Sequence, residues 1–250
     1  MTAELSPPSD LLQGPPEPGQ PPRIVAREAG FALKLLSASQ DAPMPPGQGQ
    51  ILLVLRGQAI IEEFGDENVV HTAQPDHRHV LAEGALFRVA NDARWAVRGD
   101  AQTRVLAVST SVPREAHRQE DVLALARKRP HMSPRLLFEN EAVRVEFSAA
   151  RGLLPFRGWV PYDHTATGAE YAIILAGRFE GRLKTEQGGW WRGDLPAGSL
   201  LRVPAGVAHN FRARGRGLNV GLIVSPRMHR PTEGAVDRDA VKGSFTPFGR

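Results

Sequence analysis

The chain has 250 residues, enough for one large domain or two of ordinary size. Its hydrophobic content of 41% and charged content of 23% are those of a folded globular protein, and the absence of cysteine excludes disulfides, thiolate metal sites, iron–sulfur clusters and cysteine nucleophiles. The net charge of +4 rests on 27 Arg against 4 Lys, but these are scattered and stand beside acids, as in Arg114-Glu115 and Arg118-Gln119-Glu120-Asp121, so no nucleic-acid partner is expected.

Residues 1–22 carry seven of the 21 prolines, three acids and no Lys or Arg, which predicts a disordered tail. No apolar run approaches the roughly 20 residues of a membrane span, and the N-terminus lacks the layout of a signal peptide. A cytoplasmic protein with no membrane partner is therefore expected. Over 23–111 short apolar runs such as Ile51-Leu-Leu-Val-Leu55, His79-Val80-Leu81 and Val105-Leu-Ala-Val108 alternate with Gly, Pro and Asp, a pattern of short strands and tight turns.

Residues 113–129 read as helix, with Val122, Leu123, Leu125 and Ala126 at helical spacing, acids first and bases last. The stretch 112–132 is thus predicted to be a helical linker between two β-units. Strand-like runs resume over 133–226, and 227–250 is a polar, extended tail.

The two β-stretches repeat one another. Pro22-Arg23-Ile24-Val25 answers to Pro134-Arg135-Leu136-Leu137, and the run Gln50 to Gly57 to Glu170 to Gly177. Gly84-ALFRV-Ala90 likewise answers to Gly198-SLLRV-Pro204, and Val108-Ser109 to Val224-Ser225. Ordered, collinear matches of this kind point to a tandem duplication.

In the second copy Gly158-x5-His164-x-Ala166-x3-Glu170-x6-Gly177 is followed by Gly198-x5-Pro204-x-Gly206-x2-His209. These spacings resemble the two motifs of the cupin superfamily, with Ala166 in place of the second histidine and Ala213 in place of the final asparagine. The first copy keeps only the glycine skeleton, with Met44, Pro46, Gln50 and Trp95 at the four ligand places. The resemblance implies an all-β chain of two tandem cupin (double-stranded β-helix, jelly-roll) barrels, the N-terminal one degenerate.

Side chains on a strand alternate faces, so His164 and Ala166 point the same way, with Glu170 opening the next strand and His209 arriving from another. Two imidazoles and one carboxylate suit a divalent metal, Fe(II) first, with Mn(II), Ni(II) or Zn(II) as alternatives, and leave coordination positions open. By the same alternation Tyr162 and Phe211 line a substrate pocket beside Ala166.

The ligand set His164, Glu170, His209 is also similar to that of 3-hydroxyanthranilate 3,4-dioxygenase. That family's two substrate arginines fall at Val160 and Ala213 and its substrate glutamate near Ser225, so the metal chemistry carries over and the substrate does not. The resemblance implies a metal-dependent enzyme acting on a small organic molecule, most plausibly a dioxygenase, with a homodimer as the expected assembly. The alternative is a non-catalytic small-molecule-binding or regulatory bicupin. Ureidoglycine aminohydrolase differs in ligand order, and oxalate decarboxylases keep all four ligands.

Three other features compete for attention. His77-x-His79-x3-Glu83 mimics the first motif but reads as a solvated loop. Trp190-Trp191 reads as a cap on the barrel mouth or as packing between domains. Arg212-Ala-Arg-Gly-Arg-Gly217 reads as a charged hairpin turn.

Overall fold

A computed structural model describes residues 8–13, 20–36, 44, 49–64, 74–116, 118–130, 134–151, 165–227 and 231–232. The strands in chain order are β1 (Ser9–Asp10), β2 (Arg23–Arg27), β3 (Ala32–Leu36), β4 (Gly49–Arg56), β5 (Gln58–Phe64), β6 (His77–Ala82), β7 (Ala85–Val89), β8 (Arg94–Gly99), β9 (Arg104–Thr110) and β10 (Gln119–Asp121). After helix α1 (Val122–Lys128) come β11 (Arg135–Glu139), β12 (Val143–Arg151), β13 (Thr165–Ala166), β14 (Glu170–Ala176), β15 (Arg178–Lys184), β16 (Trp190–Pro196), β17 (Ser199–Val203), β18 (His209–Arg214), β19 (Leu218–Pro226) and β20 (Pro231–Thr232). The described chain is all-β apart from α1 and one turn of 3-10 helix at Arg114–Ala116. No helix among the described residues is long and apolar enough to cross a membrane.

The chain divides into two compact units, one of Asp10–Lys128 with Glu139–Val143, the other of Met1–Ser9, Arg129–Phe138 and Arg144–Arg250. In the N-terminal unit a six-stranded sheet, ordered β10-β7-β4-β9-β3-β2, shares a core with the three-stranded sheet β6-β5-β8. Every second residue supplies that core: Leu52 and Val54 of β4, Ala59 and Ile61 of β5, Trp95 and Val97 of β8. Each large side chain so buried contributes about 1.5–3 kcal/mol, so the period of two decides which faces close.

In the C-terminal unit the order is β1-β17-β14-β19-β12-β11, with β16-β15-β18 as the smaller sheet and β13-β20 as a separate pair. Ala172, Ile174, Leu201 and Val203 meet Phe179, Leu183, Leu195 and Ala213 in its core. The repeat seen in the sequence is therefore a repeat of topology, β7-β4-β9-β3-β2 being matched by β17-β14-β19-β12-β11. Gly57 and Gly177 turn the corresponding corners with φ of 76° and 73°, a conformation that costs a side-chain-bearing residue roughly 1–2 kcal/mol.

The structure departs from the sequence reading in five places. Within the proline-rich stretch, Ser9–Asp10 form a strand at the edge of a sheet and Leu11 is fully buried, an apolar anchor that composition averages away. The 113–129 helix is reduced to Val122–Lys128, because Gln119–Asp121 pair with β7 instead. The His77–His79 segment is no loop: β6 pairs with β5 in register Ile61↔His79, and Glu83 sits in the turn beyond it. The two tryptophans separate by alternation, Trp191 packing on the core and Trp190 lying over Arg182 and Lys184 on the opposite face. In the C-terminal tail Pro231–Thr232 pair with β13.

The same alternation gathers charge. The face of β15, β16 and β18 turned away from the core carries Arg178, Arg182, Lys184, Arg192, Arg212 and Arg214 against Glu180 and Asp194. Glu180 accepts hydrogen bonds from Arg212 at 2.7 Å and from Arg214, while Arg178 pairs with Asp194.

Candidate functional site

Glu170 opens β14 on the face of Ala172 and Ile174, and His209 opens β18 on the face of Phe211 and Ala213. Because Ala172, Ile174 and Ala213 belong to the core and Phe211 packs on it, both polar side chains point into the C-terminal unit from opposite sheets. They meet there: His209 Nε2 stands 2.7 Å from Glu170 Oε2, with the two side chains 5% and 13% exposed. The 204–207 turn delivers His209, Gly206 taking the left-handed φ of 74° and donating its N–H to the Ala166 carbonyl at 2.6 Å.

The protons of this pair can be counted. His209 Nδ1 lies 3.0 Å from the Val207 carbonyl, which only accepts, so Nδ1 carries a hydrogen. In a neutral imidazole that leaves Nε2 an acceptor, and it faces a carboxylate that is an acceptor as well. Two acceptors at hydrogen-bond distance hold a positive centre between them, a shared proton or a cation. A histidine whose outer nitrogen is fixed by a backbone carbonyl while the inner one faces a carboxylate is the usual preparation of a metal ligand. The donor set therefore fits a divalent cation.

Of the predicted site residues, the structure brings together Glu170, His209 and Phe211, the two rings lying edge to face at 5.8 Å between centroids. Ala166 is buried beside the turn that leads to His209. His164 and Tyr162 lie outside the described residues, and among the described residues no three His, Asp or Glu side chains converge on one point. Tyr171, next to Glu170, points to the other face, where its hydroxyl accepts a hydrogen bond from Arg202 at 3.3 Å. Two groups beside Glu170 and His209 were given no role there by the sequence. The Val207 carbonyl has no residue-type signature at all, whereas Ser225 had one, in the serine common to Val108-Ser109 and Val224-Ser225.

The N-terminal copy shows the same place filled. Gln50 stands where Glu170 does, buried, and its Oε1 accepts from the Ser109 hydroxyl at 2.7 Å. Trp95 stands where His209 does, 1% exposed, and Met44 pairs with it backbone to backbone and packs on the same core. Pro46 lies outside the described residues. Elsewhere in this unit His79 stacks on Phe87 at 4.5 Å between centroids, its Nε2 3.8 Å from Glu63. Glu83 does not join them.

No protein-family model and no curated protein matches the chain. Solved structures do resemble it. The cupin 2 conserved barrel domain protein from Leptotrichia buccalis aligns over 90% of this chain and 98% of its own, with a TM-score of 0.66 at 9% identity. A tryptophan-to-tyrosine variant of Bacillus subtilis oxalate decarboxylase aligns over 90% and 78%, with a TM-score of 0.51 at 10% identity. The 11S allergen from Cocos nucifera aligns over 82% and 83%, with a TM-score of 0.50 at 14% identity. At these identities the likeness is one of backbone, and with the repeated strand order it places the chain in the cupin barrel fold.

Proposed function

We propose that the chain is a bicupin whose C-terminal barrel, over 133–226, holds one divalent cation through His164, Glu170 and His209. Its N-terminal barrel, over 23–111, has lost that capacity. Fe(II) is the favoured ion, with Mn(II), Ni(II) or Zn(II) as alternatives, and the reaction a metal-dependent transformation of a small organic molecule, dioxygenation in the first instance. The observation that carries this reading is the Glu170–His209 pair, a buried imidazole 2.7 Å from a part-buried carboxylate, with the outer imidazole nitrogen fixed on Val207.

When bound, Fe(II) would supply Lewis acidity and a centre for O₂ chemistry. The chain's own residues do the rest. The Val207 carbonyl holds the His209 ring in one tautomer, so that Nε2 presents its lone pair inward. Glu170 balances the charge. Ala166 contributes only a methyl where a second histidine would stand, leaving room for a substrate atom, and Phe211 with Tyr162 gives that space an apolar wall. Oxalate decarboxylase is among the similar structures, but the absence of a fourth ligand separates this site from the four-ligand pattern of that family.

Metal analysis of the purified protein beside a His164→Ala, His209→Ala double variant tests the site. About one equivalent of metal is expected in the first and none in the second; equal, negligible metal in both would sink the reading. O₂ uptake by the iron-loaded protein over catechols, aminophenols and diketones then tests the reaction class. Tight binding of one compound without O₂ uptake would favour the non-catalytic alternative.

A further inference from the structure

The two copies place a serine at the same point of the ladder. In the N-terminal unit β4 and β9 run in register Gln50↔Ser109, Ile51↔Val108, Leu52↔Ala107. In the C-terminal unit β14 and β19 run in register Tyr171↔Val224 and Ala172↔Ile223. Glu170 and Ser225 thus stand one residue further along that ladder, as Gln50 and Ser109 do in theirs. Ala172 faces the core and Ile223 lies opposite it, so alternation turns Ser225 to the face that carries Glu170.

The surroundings of the two hydroxyls differ. Ser109 Oγ donates to Gln50 Oε1 at 2.7 Å. Ser225 is 1% exposed, and its Oγ has no hydrogen-bond partner among the described residues. A hydroxyl wholly withdrawn from water and left unmatched is an unfavourable arrangement that calls for a reason. Glu and Gln have the same shape, so a hydroxyl at 225 can reach a carboxylate at 170 just as the hydroxyl at 109 reaches the amide at 50. Here Glu170 is turned to His209 instead, its Oε2 2.7 Å from Nε2.

We infer that Ser225 is the positioning residue for Glu170: when a cation is held between Glu170 and His209, the Ser225 hydroxyl donates to the Glu170 carboxylate and holds it in its ligating orientation. This rests on the reading of Glu170 and His209 as cation donors. Partners that orient a ligating carboxylate typically change metal affinity by about 10–100-fold when removed.

The test uses Co(II) as the probe, added to the full-length metal-free protein. Affinity is read by titration calorimetry and the ligand field by the visible absorption of the bound ion. Ser225→Ala is expected to weaken Co(II) binding about 10–100-fold and to alter the absorption band. Ser225→Thr, which keeps the hydroxyl, should stay near wild type. Ser109→Ala removes the equivalent hydroxyl in the filled copy and should leave affinity unchanged. The inference is overturned if Ser225→Ala binds within twofold of wild type with an unchanged spectrum, even where its thermal stability drops, while Glu170→Gln loses binding. In that event the metal site stands without Ser225. Absence of Co(II) uptake by the wild-type protein overturns the site reading and this inference together.

Discussion

At Gly177 a single hydrogen atom takes the place of a side chain for two separate reasons. The backbone is left-handed there, with φ of 73°, and a Cβ would come within 2.6 Å of the Leu218 carbonyl and 2.4 Å of Asn219 Oδ1. Gly188 is left-handed too, with φ of 80°, but a Cβ added there meets nothing within 4 Å. Gly188→Ala should therefore cost about 1–2 kcal/mol for backbone conformation alone, and Gly177→Ala clearly more, because the Asn219 amide also accepts from the Arg178 N–H at 2.8 Å. Denaturant midpoints of the two variants separate the terms; equal losses would show that crowding at Gly177 contributes nothing. The glycine skeleton was legible in the sequence because these conformations admit little else. Glu170 and His209 were legible by spacing. The Val207 carbonyl was not, since every residue has one.

Helix α1 shows how far charge order and apolar spacing reach as signals. Val122, Leu123 and Ala126, three of the four residues at helical spacing, are buried. The start of the helix is fixed by Asp121, whose Oδ1 accepts from the Ala124 N–H at 2.7 Å in the manner of an N-cap. Upstream, the same charged stretch becomes β10 because its backbone finds β7, Gln119 opposite Phe87 and Asp121 opposite Ala85. That pairing is a long-range event with no local mark. Gly84 completes the junction: its carbonyl accepts from the Val122 N–H at 3.1 Å, and a Cβ on it would strike Leu123 at 2.2 Å. Asp121→Ala is expected to lower stability by about 1 kcal/mol without changing metal content, as chemical denaturation beside metal analysis will show. A loss of metal in that variant would mean that α1 affects the C-terminal site. β6 teaches the same lesson as β10, for His77 and His79 read as loop until β5 supplied the partner strand.

Five of the arginines look scattered in sequence because strand pairing, and not chain order, brings them to one surface. Six cations and two acids share the outer face of β15, β16 and β18, with Glu180 between Arg212 and Arg214. Burial works against ionisation of Glu180, but the hydrogen bonds and charges of the two guanidinium groups outweigh it, and its carboxyl lies below the usual range. A lowered carboxyl contributes stability above its unfolded-state value and loses it as pH falls through the folded one. Glu180→Gln should thus be less stable than wild type at pH 7, by no more than about 1 kcal/mol for a partly solvated pair. The difference should vanish below the carboxylate range; urea unfolding at pH 7 and pH 3 checks this, and a gap that persisted in acid would assign the effect to packing.

At the two places where the C-terminal copy has Glu170 and His209, the N-terminal copy has Gln50, bonded to Ser109, and Trp95, neither of which titrates. Those two places in the N-terminal copy are therefore held by packing and one neutral hydrogen bond. The other copy keeps an imidazole, a carboxylate and a hydroxyl that a wholly apolar centre would not need. One backbone is thus used twice, with the same ladder position carrying a satisfied amide in one copy and an imperfectly satisfied carboxylate and hydroxyl in the other.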